Sequence, residues 1–181
     1  MPVIISMLRG VNVGGHNKIK MDALKALYES LKFERVETHI QSGNVVFRTK
    51  EKNIAALTKR IQDAIEKEFG FRPDVILRTV SEMREAIAKN PFAKRRGLDP
   101  SKLLVTFLAA EPGAEACAKL LKMSIAPDEL YIDGPALYGY YPDGIGSPKI
   151  TWATIERTLK VSGTGRNWNS VNKLLEIADK L

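Results

Sequence analysis

Cysteine is nearly absent from this sequence, since Cys117 is the only one among 181 residues. A single cysteine excludes an internal disulfide and any metal site that needs two or more thiolates. Because a disulfide-free chain suits a reducing compartment, the sequence predicts a cytoplasmic protein. His16 and His39 are the only histidines and do not stand at metal-ligand spacing, so we predict neither a metal site nor a cofactor.

Long apolar runs are also missing. No segment reaches the length of uncharged sequence that a membrane helix requires, so we predict no membrane association. The apolar residues 1–10 lack the basic leading region of a signal peptide and are too short for one. We interpret them as a buried strand followed by a loop.

Acidic residues are fewer than basic ones: 21 Asp and Glu stand against 28 Lys and Arg, which gives a net charge of +7. The excess is spread along the chain, with one local cluster at residues 94–96. This balance fits a polyanion-binding protein and equally fits a solvated basic surface. The known phosphate-loop patterns G-x-x-x-x-G-K-[ST] and G-x-G-x-x-G do not occur.

The first half of the chain alternates short apolar runs with amphipathic periodicity. Strands are predicted at residues 3–8, 35–40, 45–48 and 74–80, with helices at 21–31 and 54–69. The resulting order, β-α-β-β-α-β, is the split βαβ or ferredoxin-like pattern. We therefore predict an α+β fold with a first, ferredoxin-like domain at residues 1–80.

The second half repeats much of that order, and we predict it to be a related α/β domain at residues 81–181. Ser81 is the predicted cap of a helix that ends at Asn90-Pro91. The remaining predicted elements are strands at 103–108, 129–132 and 136–140 and helices at 113–121, 149–159 and 167–180. The last helix stands where a fourth strand is expected. Element order thus indicates a structural pseudo-repeat, without a visible residue-by-residue repeat.

Three polar, glycine-containing segments are candidates for function: residues 9–18, 41–44 and 162–168. In a split βαβ sheet the first two meet at one end, beside the start of the first helix and the turn that carries Arg72. The last helix could add the third segment. The candidate ligand-binding residues are Arg9, Asn12, Gly14, Gly15, Lys18, Gln41, Ser42, Asn44, Arg166 and Asn167.

These residue types suit an anionic ligand. Glycine lets backbone N–H groups approach a ligand, a helix N-terminus adds partial positive charge, and a guanidinium group fits a phosphate. The alternative is that the glycines serve tight turns while Arg9 and Asn44 bond the loop backbone. Catalysis has weaker support, because Ser42 and His16 stand in no recognisable acid–base or nucleophile motif.

Three blocks of sequence resemble the signature segments of an uncharacterised bacterial family, domain-of-unknown-function family 1697. The blocks are LRGVNVGGHNKIKM, IQSGNVVF and GTGRNWNSVNKL, and they occur in order over nearly the whole chain. The resemblance implies a two-part α/β protein but brings no activity, substrate or catalytic residue. The positions that match the family motifs are Arg9, Gly10, Asn12, Gly14, Gly15, Lys18, Gln41, Ser42, Gly43, Asn44, Arg166, Asn167 and Trp168.

Three functions fit these observations. The first is a binding module for a phosphate-bearing ligand, either a nucleic acid or a nucleotide. The second is an enzyme that acts on a small anionic substrate in the same pocket, with Arg9 or Arg166 holding charge and Ser42 or His16 moving protons. The third is a structural or protein-interaction role in which the motifs hold loops. The sequence predicts no oligomeric state.

Overall fold

A computed structural model describes residues Met1–Leu181 and divides the chain into two compact units. The first unit comprises Met1–Glu85 together with Lys173–Leu181, and the second comprises Ala86–Asn172. Each contains a four-stranded antiparallel sheet, so the predicted α+β class is confirmed. None of the helices combines the length and the apolar character needed to cross a bilayer.

The first unit has the predicted ferredoxin-like order. Its elements are β1 Val3–Leu8, α1 Met21–Ser30, β2 Glu34–His39, β3 Asn44–Arg48, α2 Ile54–Phe69 and β4 Val75–Thr79. The sheet has the order β2-β3-β1-β4, and every neighbouring pair is antiparallel. This connectivity leaves the end of β1, the start of α1 and the β2–β3 hairpin at one end of the sheet.

Helical periodicity and strand alternation build the core of this unit. Leu57, Ile61 and Ile65 recur every four residues and form the buried stripe of α2. They pack in one cluster with strand residues such as Ile4 and Phe47, which point to the same face of the sheet. The Tyr28 hydroxyl reaches the Ser6 hydroxyl at 2.8 Å, so two buried polar atoms satisfy each other.

The second unit repeats this architecture. Its elements are β5 Leu103–Leu108, α4 Ala114–Leu121, β6 Glu129–Asp133, β7 Ala136–Tyr140, α5 Trp152–Leu159 and β8 Gly163–Asn167. The sheet order β6-β7-β5-β8 corresponds strand for strand to that of the first unit. Two short 3₁₀ helices, Pro91–Lys94 and Pro100–Lys102, precede β5. The core of this unit includes Leu108, Leu120, Leu137, Ile155 and Leu159.

The second unit has a fourth strand, which corrects the expectation that the last helix takes its place; the predicted last helix is present directly after this strand. Residues 163–167 form β8, paired antiparallel with β5. The sequence did not indicate this strand because glycine has a low β-propensity, and Gly163 and Gly165 interrupt the alternation of apolar side chains. Here glycine permits close pairing: a Cβ on Gly163 would lie 2.8 Å from the Phe107 carbonyl oxygen.

A helix follows the fourth strand in both units. These helices are α3 Val80–Ala88 and α6 Trp168–Lys180. The Glu82 backbone N–H bonds the Thr79 hydroxyl at 3.1 Å, and the Glu82 carboxylate accepts from the Thr79 N–H at 2.8 Å. This capping box places the cap at Thr79 rather than at the predicted Ser81. At the corresponding position Asn167 caps α6 by accepting from the Ser170 N–H at 2.8 Å.

Backbone hydrogen bonds show the repeat most directly. The N–H of Leu8, at the end of β1, bonds the Gly43 carbonyl at 3.0 Å, and that of Leu108, at the end of β5, bonds the Pro135 carbonyl at 2.8 Å. The next residue in each unit then bonds the turn before the fourth strand: Arg9 bonds Asp74, and Ala109 bonds Ser162. Both units therefore close the same end of the sheet in the same way.

Candidate functional site

The candidate site lies at the end of the first unit where the sequence predicted that polar loops meet. Two connections bound it: residues 9–20, between β1 and α1, and residues 40–43, between β2 and β3. Their counterparts in the second unit are residues 109–113 and 134–135, which are much shorter. Because the second unit closes the same fold without the extra residues, the fold itself does not require the long loops of the first unit.

Asn12 holds these two loops together. Its side-chain amide donates to the Ile19 carbonyl at 2.9 Å and to the Gln41 carbonyl at 2.8 Å. Its side-chain carbonyl accepts from the Ile19 N–H at 2.9 Å. Asn12 adopts φ 57°, in the left-handed region that asparagine tolerates better than most residues. The predicted ligand-binding side chain is therefore engaged in fixing the loops.

The two hydrogen bonds between the Asn12 side chain and the Ile19 backbone, which we call the Asn12 clamp, orient the lysines on either side of Ile19. The Ile19 side chain is buried in the core, while Lys18 and Lys20 are exposed. Lys20 has extended backbone angles, φ −72° and ψ 136°. Since neighbouring side chains of an extended chain point to opposite sides, burial of Ile19 turns both lysines outward. Lys18 and Lys20 both line the adjoining pocket.

The pocket is open to solvent and has a volume of about 890 Å³. It lies between the long loop, the first turn of α1 and the β2–β3 hairpin. Its lining residues are Asn12, Gly15, Lys18, Ile19, Lys20, Met21, Asp22 and Gln41. The predicted residues Asn12, Gly15, Lys18 and Gln41 therefore share one pocket with Lys20, Met21 and Asp22, which lie outside the predicted polar segments.

The start of α1 faces this pocket without a side-chain cap. Lys20 is the N-cap residue and makes no capping hydrogen bond. Asp22 lies in the first turn, where a carboxylate interacts favourably with the helix dipole. The alternating Lys18-Ile19-Lys20 sequence before the helix was the signal that could have identified Lys20.

The arginines at this end are paired with carboxylates. Arg9 forms a salt bridge with Asp74 at 3.4 Å, and about a third of its side chain is exposed. Arg72 bonds Asp63 at 2.6 Å and approaches Glu66 at 3.7 Å. Neither arginine is among the pocket-lining residues, so the two lysines provide the positive charge of the pocket.

The remaining residues of the hairpin shape its turn. Asn44 is fully buried, and its side-chain amide donates to the His39 carbonyl at 3.1 Å. Gly43 adopts φ 79°, and a Cβ there would lie 2.9 Å from the Leu8 Cβ, so both the conformation and the space require glycine. Ser42 is half-buried in the same turn. For Asn44, the structure supports the alternative that the residue stabilises a loop.

The predicted glycines of the long loop lie near its tip. Gly14 and Gly15 are exposed and adopt φ values of 56° and 78°. Gly15 lines the pocket, and Gly14 does not. A Cβ on Gly15 would meet nothing closer than the Lys18 side chain at 3.9 Å, so the conformation rather than the space favours glycine there.

Arg166 and Asn167 belong to the second unit. Arg166 is a residue of β8 rather than of the last helix, and its side chain is only 6% exposed. It donates to the Thr164 hydroxyl at 2.7 Å and to the Gly165 carbonyl at 2.9 Å, and burial lowers its pKa to about 10. Asn167 is the cap of α6. Both residues thus have structural roles within the second unit.

Other reactive side chains are sparse. No group of three or more His, Cys, Asp or Glu side chains is placed to hold a metal ion. His16 is exposed on the long loop and is not among the pocket-lining residues. His39 ends β2, where partial burial and then the charge of Lys173 lower its pKa. The pocket therefore contains no histidine and no paired acid and base.

A family model described as a protein of unknown function, DUF1697, matches residues 1–138. The chain belongs to this family. The matched region contains the whole candidate pocket, and the third sequence block lies beyond it. A comparison with curated proteins finds no match.

A solved structure has the same fold. It is a conserved bacterial protein, SP0830 from Streptococcus pneumoniae, with a TM-score of 0.74 and 19% sequence identity. The alignment covers 98% of each chain. The likeness therefore extends over both units, and at this level of identity it establishes the fold.

Proposed function

We propose that this protein binds a phosphate-bearing ligand in the pocket at the end of its first unit. The main support for this proposal is the pair of hydrogen bonds between Asn12 and Ile19, which fixes the Ile19 backbone. As a result, the side chains of Lys18 and Lys20 line the same pocket. Neither lysine forms a salt bridge within the chain, so both ammonium groups are available to a ligand. Two unpaired cations on either side of a residue held by hydrogen bonds to Asn12 are a favourable setting for an anion.

The proposal assigns different tasks to the motif residues. Asn12, Gly43 and Asn44 hold the loops, and Lys18, Lys20 and Gln41 contact the ligand. A purely structural role would explain the first set only. It would not explain why the first unit has much longer loops than the second at the same end of the fold. An enzymatic role has no specific support, because the pocket lacks a paired acid and base.

Titration of the full chain with three probes tests the proposal: inorganic phosphate, a mononucleotide and a short single-stranded oligonucleotide. We expect binding that Lys18→Ala/Lys20→Ala weakens by about tenfold or more, since contacts to charged groups are among the stronger hydrogen bonds. The control is Lys50→Ala/Lys52→Ala, which removes the same charge at the same spacing from exposed lysines after β3. An equal loss of affinity in the two double variants would contradict specific binding in this pocket.

Salt dependence distinguishes the two sources of phosphate. A polynucleotide that contacts several cations loses affinity steeply as salt rises, because each phosphate contact releases counterions. A mononucleotide bound by two lysines has a shallower dependence. A reducing, cytoplasmic setting is the compartment that the single cysteine predicts, and it would supply either ligand.

A further inference from the structure

We propose that the ligand is a ribose phosphate, such as a small ribonucleotide, and that Asp22 recognises its vicinal hydroxyl groups. This inference rests on the proposed function, since it concerns the same pocket. Asp22 lines the pocket together with Lys18 and Lys20. Its carboxylate is exposed and forms no salt bridge with either lysine.

An unpaired carboxylate is unfavourable in a site for a simple anion. Like charges repel, so Asp22 lowers the affinity of the pocket for phosphate alone. It becomes favourable when the ligand also carries neutral hydrogen-bond donors, because an ionised carboxylate accepts hydrogen bonds at both oxygens. Two neighbouring hydroxyl groups match those two oxygens, and an acidic side chain on ribose hydroxyls is a known arrangement in nucleotide sites.

The side chain of Gln41, which also lines the pocket, is suited to a ligand with hydroxyl groups. The Gln41 side chain is exposed, and its backbone carbonyl is fixed by Asn12 at 2.8 Å. Its side-chain amide offers both donors and an acceptor to the sugar or base. The pocket therefore combines positive charge for phosphate with acceptors for hydroxyl groups.

The dimensions of the pocket favour a small ligand. Its volume of about 890 Å³ lies within the range of roughly 300–1,000 Å³ that is usual for small-molecule sites. The lining residues come from three adjacent segments at one end of the first unit, not from an extended groove. A mononucleotide or sugar phosphate can contact all three at once.

Asp22 also has a structural explanation, because a carboxylate in the first turn stabilises a helix. The two explanations predict opposite changes in the affinity of Asp22→Asn for the ribose ligand. If Asp22 serves only the helix, its neutralisation tightens every phosphate-bearing ligand to a similar extent. If it binds hydroxyl groups, neutralisation tightens inorganic phosphate and weakens the ribose ligand.

The experiment is calorimetric titration of the full chain with ribose 5-phosphate, 2-deoxyribose 5-phosphate and inorganic phosphate. We expect the wild type to prefer ribose 5-phosphate over its deoxy analogue by about tenfold, because one hydrogen bond to a charged group is lost. In Asp22→Asn the ratio of the affinities for ribose 5-phosphate and 2-deoxyribose 5-phosphate should fall to about one. Inorganic phosphate should bind more tightly than to the wild type. Glu29→Gln is the control, since it removes an exposed carboxylate from the last turn of the same helix.

Failure of this inference is distinguishable from failure of the proposed function. A wild type that binds both sugars equally, through Lys18 and Lys20, would overturn the role of Asp22 and leave phosphate binding intact. An unchanged sugar preference in Asp22→Asn would have the same meaning. Absence of binding to these three probes, and also to the mononucleotide and the oligonucleotide, would overturn both proposals.

Discussion

Arg78 and Arg166 occupy the same position in the fourth strand of their respective units. Arg78 pairs with Ile5 of the first strand, and Arg166 pairs with Val105. Each guanidinium donates to the carbonyl of the preceding residue at 2.9 Å, and burial lowers the pKa of both arginines. The pseudo-repeat inferred from element order therefore extends to individual side chains.

The residue after each arginine caps the helix that follows, and this gives the first prediction. Thr79→Ala and Asn167→Ala should each lower the free energy of unfolding by about 1 kcal/mol, because each removes a capping acceptor. Urea unfolding measures this loss. Ser81→Ala is the control, since Ser81 is exposed within α3 and should change stability little. A larger loss at Ser81 than at Thr79 would contradict the observed cap.

The hairpin glycine gives a second prediction. Gly43→Ala should destabilise the first unit by about 3 kcal/mol, because it combines a left-handed backbone with a Cβ that lies 2.9 Å from the Leu8 Cβ. Gly10→Ala is the matched control: Gly10 has a similar φ of 69° but open space around its Cβ position. It should cost about 1 kcal/mol. Equal losses in thermal or urea unfolding would show that packing at Gly43 contributes nothing.

The fold of the first unit was predictable because most of its strands and helices carry strong hydrophobic patterns. The fourth strand of the second unit was not, because Gly163 and Gly165 remove the alternating pattern and the strand depends on its pairing with β5. At the site, connectivity alone predicted that the long loop and the hairpin meet. The role of Asn12 was not predictable, since its three hydrogen bonds depend on the loop conformation.

Asn12 gives a third prediction, which links loop structure to ligand binding. Asn12→Gly keeps a residue that accepts φ 57° but removes all three side-chain hydrogen bonds, so stability should fall by about 2 kcal/mol. Phosphate affinity should fall as well, because Lys18, Lys20 and Gln41 lose their fixed backbone. Urea unfolding and phosphate titration measure the two effects.

Asn17→Gly is the comparison for that variant. Asn17 also adopts a positive φ, 50°, but its side chain makes a single exposed hydrogen bond, to the Gly10 carbonyl at 3.2 Å. Its loss of stability and affinity should be clearly smaller. If Asn12→Gly binds phosphate like the wild type, then the clamp does not position the lysines.

The histidine at the end of β2 makes the stability of the first unit depend on pH. Partial burial and the nearby charge of Lys173 hold the pKa of His39 below its ordinary value of 6.5. Below pH 6.5 the unfolded chain therefore binds a proton more readily than the folded chain, so stability is full above that pH and declines as pH falls. His39→Gln should flatten the decline in urea midpoints measured between pH 8 and pH 5, and Lys173→Gln should flatten it partly. A decline of unchanged steepness in His39→Gln would assign it to other groups.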